Sequence, residues 1–481
     1  LRDFLKLLPF FLGLAAWTYT VQSDPFFWDT VQLASKQAHH FFENGLRWTP
    51  LPPEIDSGHP PVFGYYLALV WHVAGKTLPV SHWAMFPFLC GIVWLLLRLG
   101  RRVAGQKWAL WLIPLAFLDP VMAGQGALVS PDIVLAFCFL LATEGLLSSR
   151  NKWVLAGILG LCAISMRGMM TAGALFLWQA IAHWRPARFF QPNRLFWLAF
   201  MPGFAFAAWF LWWHQQATGW TGYHAASPWA PAFEAAQGLE LFRNLLVIGW
   251  RWTDFGRVFE WVILAFLVFR GSDMRSKTID KSGMEDQQPH KKEWSGALLL
   301  LLCCLVLLLT PSALVYKMLS AHRYFLPLFL AFHLYLFHQL VQSNFSTLKK
   351  RGLLVLLIAG MFSGNCWIYP RGISMDWDAT LAHLPYHRLR SDMIDYLEQQ
   401  NIDFHSIGTS FPNINTGENL LLNGDKRQFV EKDFAQNKYI LVSNIFNDFS
   451  KKDIEKLELE WILIQDKKQG GVWMRLYKSP E

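Results

Sequence analysis

The chain has 481 residues, of which 53% are hydrophobic, with 25 Trp, 39 Phe and a formal charge of +8. With a mean hydropathy of +0.23, this excludes an ordinary soluble globular protein and indicates a polytopic membrane protein. The positive excess sits beside apolar stretches, so it points to membrane flanks and to no nucleic-acid partner.

The apolar stretches are Phe4–Gln22, Trp83–Leu97, Trp108–Ala123, Ile133–Leu147, Trp153–Met166, Met169–Trp184, Leu195–Trp213, Val258–Phe269, Trp294–Thr310, Tyr324–Leu340 and Leu353–Tyr369. Most approach the roughly 20 residues that a helix needs to span the hydrocarbon core. They are predicted to be helices, because a lone segment in lipid must satisfy its backbone internally. The expected fold is a mainly α bundle of about 11 transmembrane helices (range 11–13) over 1–370, followed by a small α/β domain over 371–481. No small-residue cleavage site follows Phe4–Gln22, so it reads as a span and not as a removed signal peptide.

Between the first two stretches lies a loop over 23–61, rich in carboxylates and aromatics: Asp24-Pro25-Phe26-Phe27-Trp28-Asp29, then Glu54, Asp56 and His59-Pro60-Pro61. The segment Val62–Leu78 is helix-like. Lys and Arg collect at Arg98, Arg101, Arg102 and Lys107, at Arg150 and Lys152, at Arg185, Arg188 and Arg194, from Arg270 to Lys292, and at Lys349, Lys350 and Arg351. Cytoplasmic placement of all five clusters puts the N-terminus inside and the C-terminal domain outside, in a bacterial inner membrane with a periplasmic tail. Val62–Leu78 then reads as lying in or dipping into the outer face, since a lone crossing would turn Arg98, Arg101 and Arg102 outward; the alternative is a true span paired with a further one. The six cysteines fall within apolar stretches and form no disulfide framework or metal-binding set.

The tail carries 14 Lys+Arg against 17 Asp+Glu, a balance of −3, which leaves +11 on the membrane part. Its pattern predicts a helix near His387–Gln400, strands at Ile402–Thr409, Tyr439–Asn444, Trp461–Gln465 and Val472–Tyr477, and a Gly470-Gly471 turn before the last of these. It has no nucleotide-loop or triad spacing, which leaves it a supporting or acceptor-guiding role.

This topology gathers scattered ionisable residues on one face: Asp24, Asp29, Glu54, Asp56 and His59; Asp119 and Asp132; Arg167; Tyr223, His224, Glu234, Arg243 and Arg251; and Lys317, His322 and Arg323. Ionisable groups at membrane depth are functional candidates. A carboxylate can take a proton from a hydroxyl, while Arg and Lys can hold a phosphate and stabilise its developing charge. Nucleotides are not supplied outside the cytoplasm, so an activated group there arrives on a lipid, and a polyprenyl-phosphate sugar meets that requirement.

Asp24-Pro25-Phe26-Phe27-Trp28 resembles the Asp-Glu-x-Tyr-Tyr motif of the first outer loop in GT-C membrane glycosyltransferases, the group that contains protein O-mannosyltransferases and lipid A aminoarabinose transferases. His59-Pro60-Pro61 is similar to their His-Pro-Pro segment, Ser130-Pro131-Asp132 to their Asp-containing span start, Met166-Arg167-Gly168 to their Lys-Gly turn, and Arg323-Tyr324-Phe325-Leu326-Pro327 to their Arg-Tyr-x-x-Pro. The resemblance covers roughly 1–370 and implies an inverting transfer, hexosyl or pentosyl, from a polyprenyl-phosphate donor to a protein, lipid or glycan acceptor. It makes Asp24 the expected base and Arg167 and Arg323 the expected phosphate ligands, with Lys317 beside them. Asp29, Asp56, His59 and Asp132 are candidates for a second acid or an acceptor contact. Two departures stand out: Pro25 replaces Glu, and Arg167 replaces Lys, which keeps charge but changes donor geometry. No metal is required, although the carboxylates leave room for a divalent ion.

Plainer roles stand beside these. Asp24 and Asp132 could cap helices, His59 could hold its Pro-Pro turn, and both arginines could snorkel to the interface. Two other functions also stay open: a lipid-linked sugar flippase or transporter that uses the same charges for binding alone, and a noncatalytic assembly scaffold built on the tail.

Overall fold

The computed structural model describes residues 2–184, 196–222, 224, 229–278, 288–370, 373 and 375–480. Tyr223, the cluster Arg185, Arg188 and Arg194, and part of the basic stretch from Arg270 to Lys292 lie outside the described residues.

In chain order the helices are α1 (Arg2–Val21), α2 (Gln37–Glu43), α3 (Val62–Ala74), α4 (Leu78–Trp83), α5 (Phe86–Ala104), α6 (Leu112–Phe117), α7 (Pro120–Ala127), α8 (Pro131–Leu147), α9 (Asn151–Ile164), α10 (Met166–Trp184), α11 (Phe196–Thr218), α12 (Leu239–Thr253), α13 (Val258–Thr278), α14 (Gln288–Val315), α15 (Leu326–Val341) and α16 (Thr347–Gly364). Each apolar stretch of the sequence coincides with helix over most of its described length. Length is more restrictive than composition. Among the described residues five stretches are long and apolar enough to cross a membrane: Asp3–Val21, Leu78–Ala104, Phe196–Thr218, Trp294–Val315 and His322–Val341. The 14 residues of α9, at about 1.5 Å each, fall short of the roughly 30 Å hydrocarbon core.

The stretch Trp108–Ala123, expected as one span, is broken. Its two halves, Ala109–Phe117 and Pro120–Ala127, meet at 68° and would make a sixth crossing only as a bent pair. The cause is local: Asp119 caps α7, accepting from the backbone N–H of Val121 (2.9 Å) and Met122 (3.3 Å), and Pro120 cannot continue the preceding ladder. A buried ionic group holds the break. Arg257 donates from Nε and Nη2 to the two Asp119 oxygens at 2.8 Å, and His333 bridges Asp119 (3.4 Å) and Glu260 (2.6 Å).

The segment Val62–Leu78 is also divided. Helix α3 has 13 residues, ends at Gly75 with φ +98° and gives way to α4 at Leu78. It packs closely on α2, because a Cβ on Gly64 would stand 2.5 Å from the Gln37 Cβ.

The tail begins with two 3₁₀ turns at Trp377–Ala379 and Leu381–His383, followed by α17 (Pro385–Gln399), β1 (Ile407–Thr409), α18 (Gly417–Leu421), β2 (Val430–Glu431), β3 (Tyr439–Ser443), α19 (Lys451–Glu460), β4 (Ile462–Gln469) and β5 (Val472–Lys478). The sheet order is β2-β1-β3-β5-β4, parallel from β2 to β3 and antiparallel beyond. The strand expected from Ile402 is shorter: Asp403 caps a 3₁₀ turn at Phe404–Ser406, which delays extension until Ile407. Strand β2 and helices α18 and α19 were not anticipated.

The tail docks on the first loop. Phe26 N–H donates to the Leu420 carbonyl (2.9 Å), Ser35 Oγ to the Asn419 carbonyl (2.6 Å), and Glu418 pairs with His39 (3.0 Å) and Lys76. The Phe27 ring stacks on His383 at 4.7 Å.

Candidate active site

Five elements bring charged side chains to one place. Asp29 follows a tight turn in which Trp28 has φ +50° and Thr30 both accepts from Phe27 N–H (2.9 Å) and donates to its carbonyl (2.8 Å). A π-helical turn, Val31–Lys36, continues from there, and such turns recur at functional sites. Asp132 stands in the first turn of α8, behind the Ser130 cap and Pro131. Arg167 stands in the first turn of α10. The chain turns at the extended Ser165 between α9 and α10, and Gly168 lets the two helices pass closely, since a Cβ there would lie 1.9 Å from the Leu161 carbonyl oxygen. Arg323 belongs to the 3₁₀ turn His322–Phe325 that leads into α15, and Asp378 to the turn Trp377–Ala379 of the tail.

The arginines link these carboxylates. Arg167 Nη1 lies 2.9 Å from Asp132 Oδ1, and Arg323 reaches Asp29 through Nη2, Asp132 through Nη1 (3.6 Å) and Asp378 through Nε (3.2 Å). The Arg167 guanidinium covers the Tyr324 ring at 4.4 Å and donates to the Arg323 carbonyl (3.3 Å). Three carboxylates therefore meet two guanidinium groups. Burial pushes the Asp378 carboxyl up to about 7, with Asp376, Asp29 and Asp132 adding to the rise and Arg323 opposing it.

A cavity of about 150 Å³ opens on this group. Asp29, Ser57, His59, Arg167, Arg323 and Tyr324 form its polar wall, and Met166, Met170, Trp229, Phe233, Leu309 and Leu319 its apolar one. A smaller space behind it is lined by His59, Asp132 and Arg167. His59 is half-buried, with its Nδ1 buried and unpartnered, and desolvation of the ring, reinforced by Arg167 and Arg323, pushes its pKa down to about 3. It therefore meets the cavity as a neutral imidazole. Asp56 holds the turn before it, accepting from Gly58 N–H (2.8 Å) and pairing with His214 (2.9 Å). Gly58 has φ +71°, and a Cβ there would meet the Gly222 carbonyl oxygen at 2.2 Å.

Of the residues expected from the sequence, Asp29, Asp132, Arg167 and Arg323 converge, with His59 beside them. Asp24 does not join them. Its backbone carbonyl accepts from His82 (3.1 Å), and its side chain makes no ion pair with either arginine. It lies five residues upstream of Asp29, across the turn at Trp28. Burial alone pushes its pKa up to about 6. Lys317 is also elsewhere, paired with Glu234 (3.1 Å) and Glu240 (3.6 Å). Asp56 serves the turn and not the cluster, for the reason given above.

Two tail residues were missed. Asp378 joins Arg323, while Asp376 accepts from the His322 backbone (2.8 Å) and ring (2.7 Å) and faces Arg251 (3.5 Å). The available signal was an acidic pair, Asp376-Trp377-Asp378, directly after the last apolar stretch. Gln125 was missed too. It donates to the Asp378 carbonyl (2.9 Å) and accepts from Ser130 Oγ, tying the tail to the cap of α8. Among the described residues no three His, Cys, Asp or Glu side chains form a metal-holding group.

No family model matches the sequence, and no curated protein does. Two solved structures share the fold along nearly the whole chain. The structure of ArnT from Cupriavidus metallidurans bound to undecaprenyl phosphate aligns with a TM-score of 0.53 at 10% identity, covering 98% of this chain and 97% of that one. The same protein in the apo state gives 0.50 at 10% identity, with 98% of each chain covered. ArnT is a lipid A aminoarabinose transferase of the GT-C fold. At this identity the likeness establishes the fold: an ArnT-like helical membrane unit with a small C-terminal sheet.

Proposed function

We propose that this protein is a membrane glycosyltransferase that moves a sugar from a polyprenyl-phosphate donor to an extracytoplasmic acceptor. The observation that carries the reading is the cavity wall itself, where Asp29 bonds Arg323 beside Arg167 and His59. The ArnT-like fold, with one neighbour bound to undecaprenyl phosphate, supports the class of donor. The basic clusters support a bacterial inner membrane with the cavity and tail on the periplasmic side.

The chemistry assigned to these residues is direct displacement with inversion. Asp29 takes the proton of the acceptor hydroxyl, the acceptor oxygen so freed attacks the anomeric carbon, and the bond from that carbon to the phosphate oxygen breaks. Arg167 and Arg323 receive the negative charge that grows on the departing phosphate. To do so they exchange carboxylate contacts for phosphate ones, and Asp132 and Asp378 hold them in position until then. Asp29 takes the role first assigned to Asp24 because it lines the cavity and bonds an arginine. The mixed polar and apolar lining suits a lipid headgroup that enters from the bilayer.

The test is single-turnover transfer of labelled sugar from a polyprenyl-phosphate donor by purified protein in detergent. Asp29→Asn should bind donor and lose about 10²–10⁴-fold in rate, while Asp24→Asn should stay near wild type. Full activity in Asp29→Asn would remove it as the base. A protein that moves lipid-linked sugar across vesicles in both variants without forming a glycoside would be a transporter.

A further inference from the structure

The joint between the first loop and the tail holds a buried cation that no carboxylate of a described residue pairs. Four arginines are buried among the described residues, Arg251, Arg257, Arg323 and Arg390. The first three each reach a carboxylate, Arg251 at Asp376 (3.5 Å), Arg257 at Asp119 (2.8 Å) and Arg323 at Asp378 (3.2 Å). Arg390, on α17, has no carboxylate of a described residue within ion-pair distance, and its Nε donates to the neutral Asn413 Oδ1 (2.7 Å). The acid whose charge acts on it, Asp425, is held by Arg427 at 2.9 Å. Leaving a buried charge uncompensated is strongly destabilising.

The surroundings are equally unsatisfied. Asn413 Nδ2, Ser410 Oγ, Trp28 Nε1 and both ring nitrogens of His387 are buried without a hydrogen-bond partner. They belong to neighbouring residues: Asn413 N–H bonds the Ser410 carbonyl (2.9 Å), Trp28 packs on Phe411 (5.8 Å), and His387 on Tyr386 (5.8 Å). The Tyr386 hydroxyl approaches the guanidinium without good hydrogen-bond geometry. Native proteins pair nearly all such groups. A set made of one guanidinium and N–H and O–H donors is complementary to an anion.

We infer that Arg390, Asn413, Ser410 and Trp28 form a seat for a small inorganic anion, chloride or phosphate, at the joint between the first loop and the tail. The anion supplies the missing negative charge and accepts from the orphaned donors. Trp28 directly precedes Asp29, so an occupied seat fixes the turn that presents Asp29 to the cavity.

The experiment is thermal unfolding of the purified full chain in detergent, titrated with sodium chloride or sodium phosphate against sodium gluconate at constant ionic strength. Wild type should show a saturable rise of roughly 2–3 °C at a hundredfold excess over the dissociation constant. The larger response identifies which anion is preferred. Asn413→Asp places a carboxylate beside Arg390, so it should raise the midpoint in gluconate and abolish the anion response. Arg390→Met removes the uncompensated charge itself, so it should also abolish the response without lowering the midpoint in gluconate. A wild-type midpoint that tracks ionic strength alone would overturn the seat, as would an Asn413→Asp variant that keeps the full anion response.

Discussion

Asp29 and Arg323 share a hydrogen bond although 294 residues separate them in the chain. The bond joins the first loop to the turn before α15, and it is the shortest description of the site. Whatever binds in the cavity meets a carboxylate and a guanidinium that are already paired.

That pairing predicts how the arginines respond to substitution. Arg167→Ala should weaken donor use by roughly 10–150-fold, the equivalent of about 1.5–3 kcal/mol for a charged hydrogen bond. Arg323→Ala should also lose stability, because Asp29 and Asp378 lose their guanidinium partner while Asp132 keeps Arg167. Arg323→Lys retains charge without the fork, and should recover the midpoint more fully than the donor affinity. Donor titrations run beside melting curves test this; donor dependence unchanged in all three variants would leave the arginines a structural role only.

Asp378 sets a pH dependence whose sign follows from its burial. Its folded carboxyl is pushed up to about 7, against about 3.9 in the unfolded chain. Between those values the folded state keeps a proton that the unfolded state has lost, so this group's contribution to stability falls as pH rises through the window. Asp378→Asn should flatten that part of the curve. Midpoints from pH 4 to pH 8 would show it, and identical slopes in variant and wild type would place the pH dependence elsewhere.

The buried group around Asp119 should behave as structure and not as chemistry. Asp119→Asn leaves Arg257 buried beside a neutral amide, and breaking a buried pair typically costs about 3–5 kcal/mol. A large drop in midpoint is expected, with donor affinity preserved in whatever protein remains folded. A variant that melts normally but has lost donor binding would move Asp119 into the site.

The docking of the tail on the first loop requires both to lie on one side of the membrane. Cysteines introduced at Asn423 and at Lys451 in the tail should react with an impermeant maleimide in whole cells, and one at Ser282 should be protected. Glu418→Ala removes the partner of His39 and Lys76 and should loosen the joint, seen as faster proteolysis within the tail. The opposite labelling pattern would invert the orientation.

The sequence by itself determined the class of molecule and most of the helices, because apolar runs of this length and aromatic content have few other ways to satisfy their backbones. It also marked the change of composition after Tyr369, where the charge balance reverses and the small C-terminal sheet follows, and it singled out Asp132, Arg167 and Arg323 as ionisable residues beside apolar segments. The tertiary structure decided which of them meet. Asp24 and Asp29 are both acids in one short aromatic loop, and only the turn at Trp28 separates the one held near His82 from the one that bonds Arg323. The bend at Asp119 looked like continuous apolar sequence until its cap and its bond to Arg257 were visible. Asp378 lies 55 residues beyond Arg323, and a side-chain bond across that distance is set by packing of the tail, which leaves no periodicity in the sequence to find it.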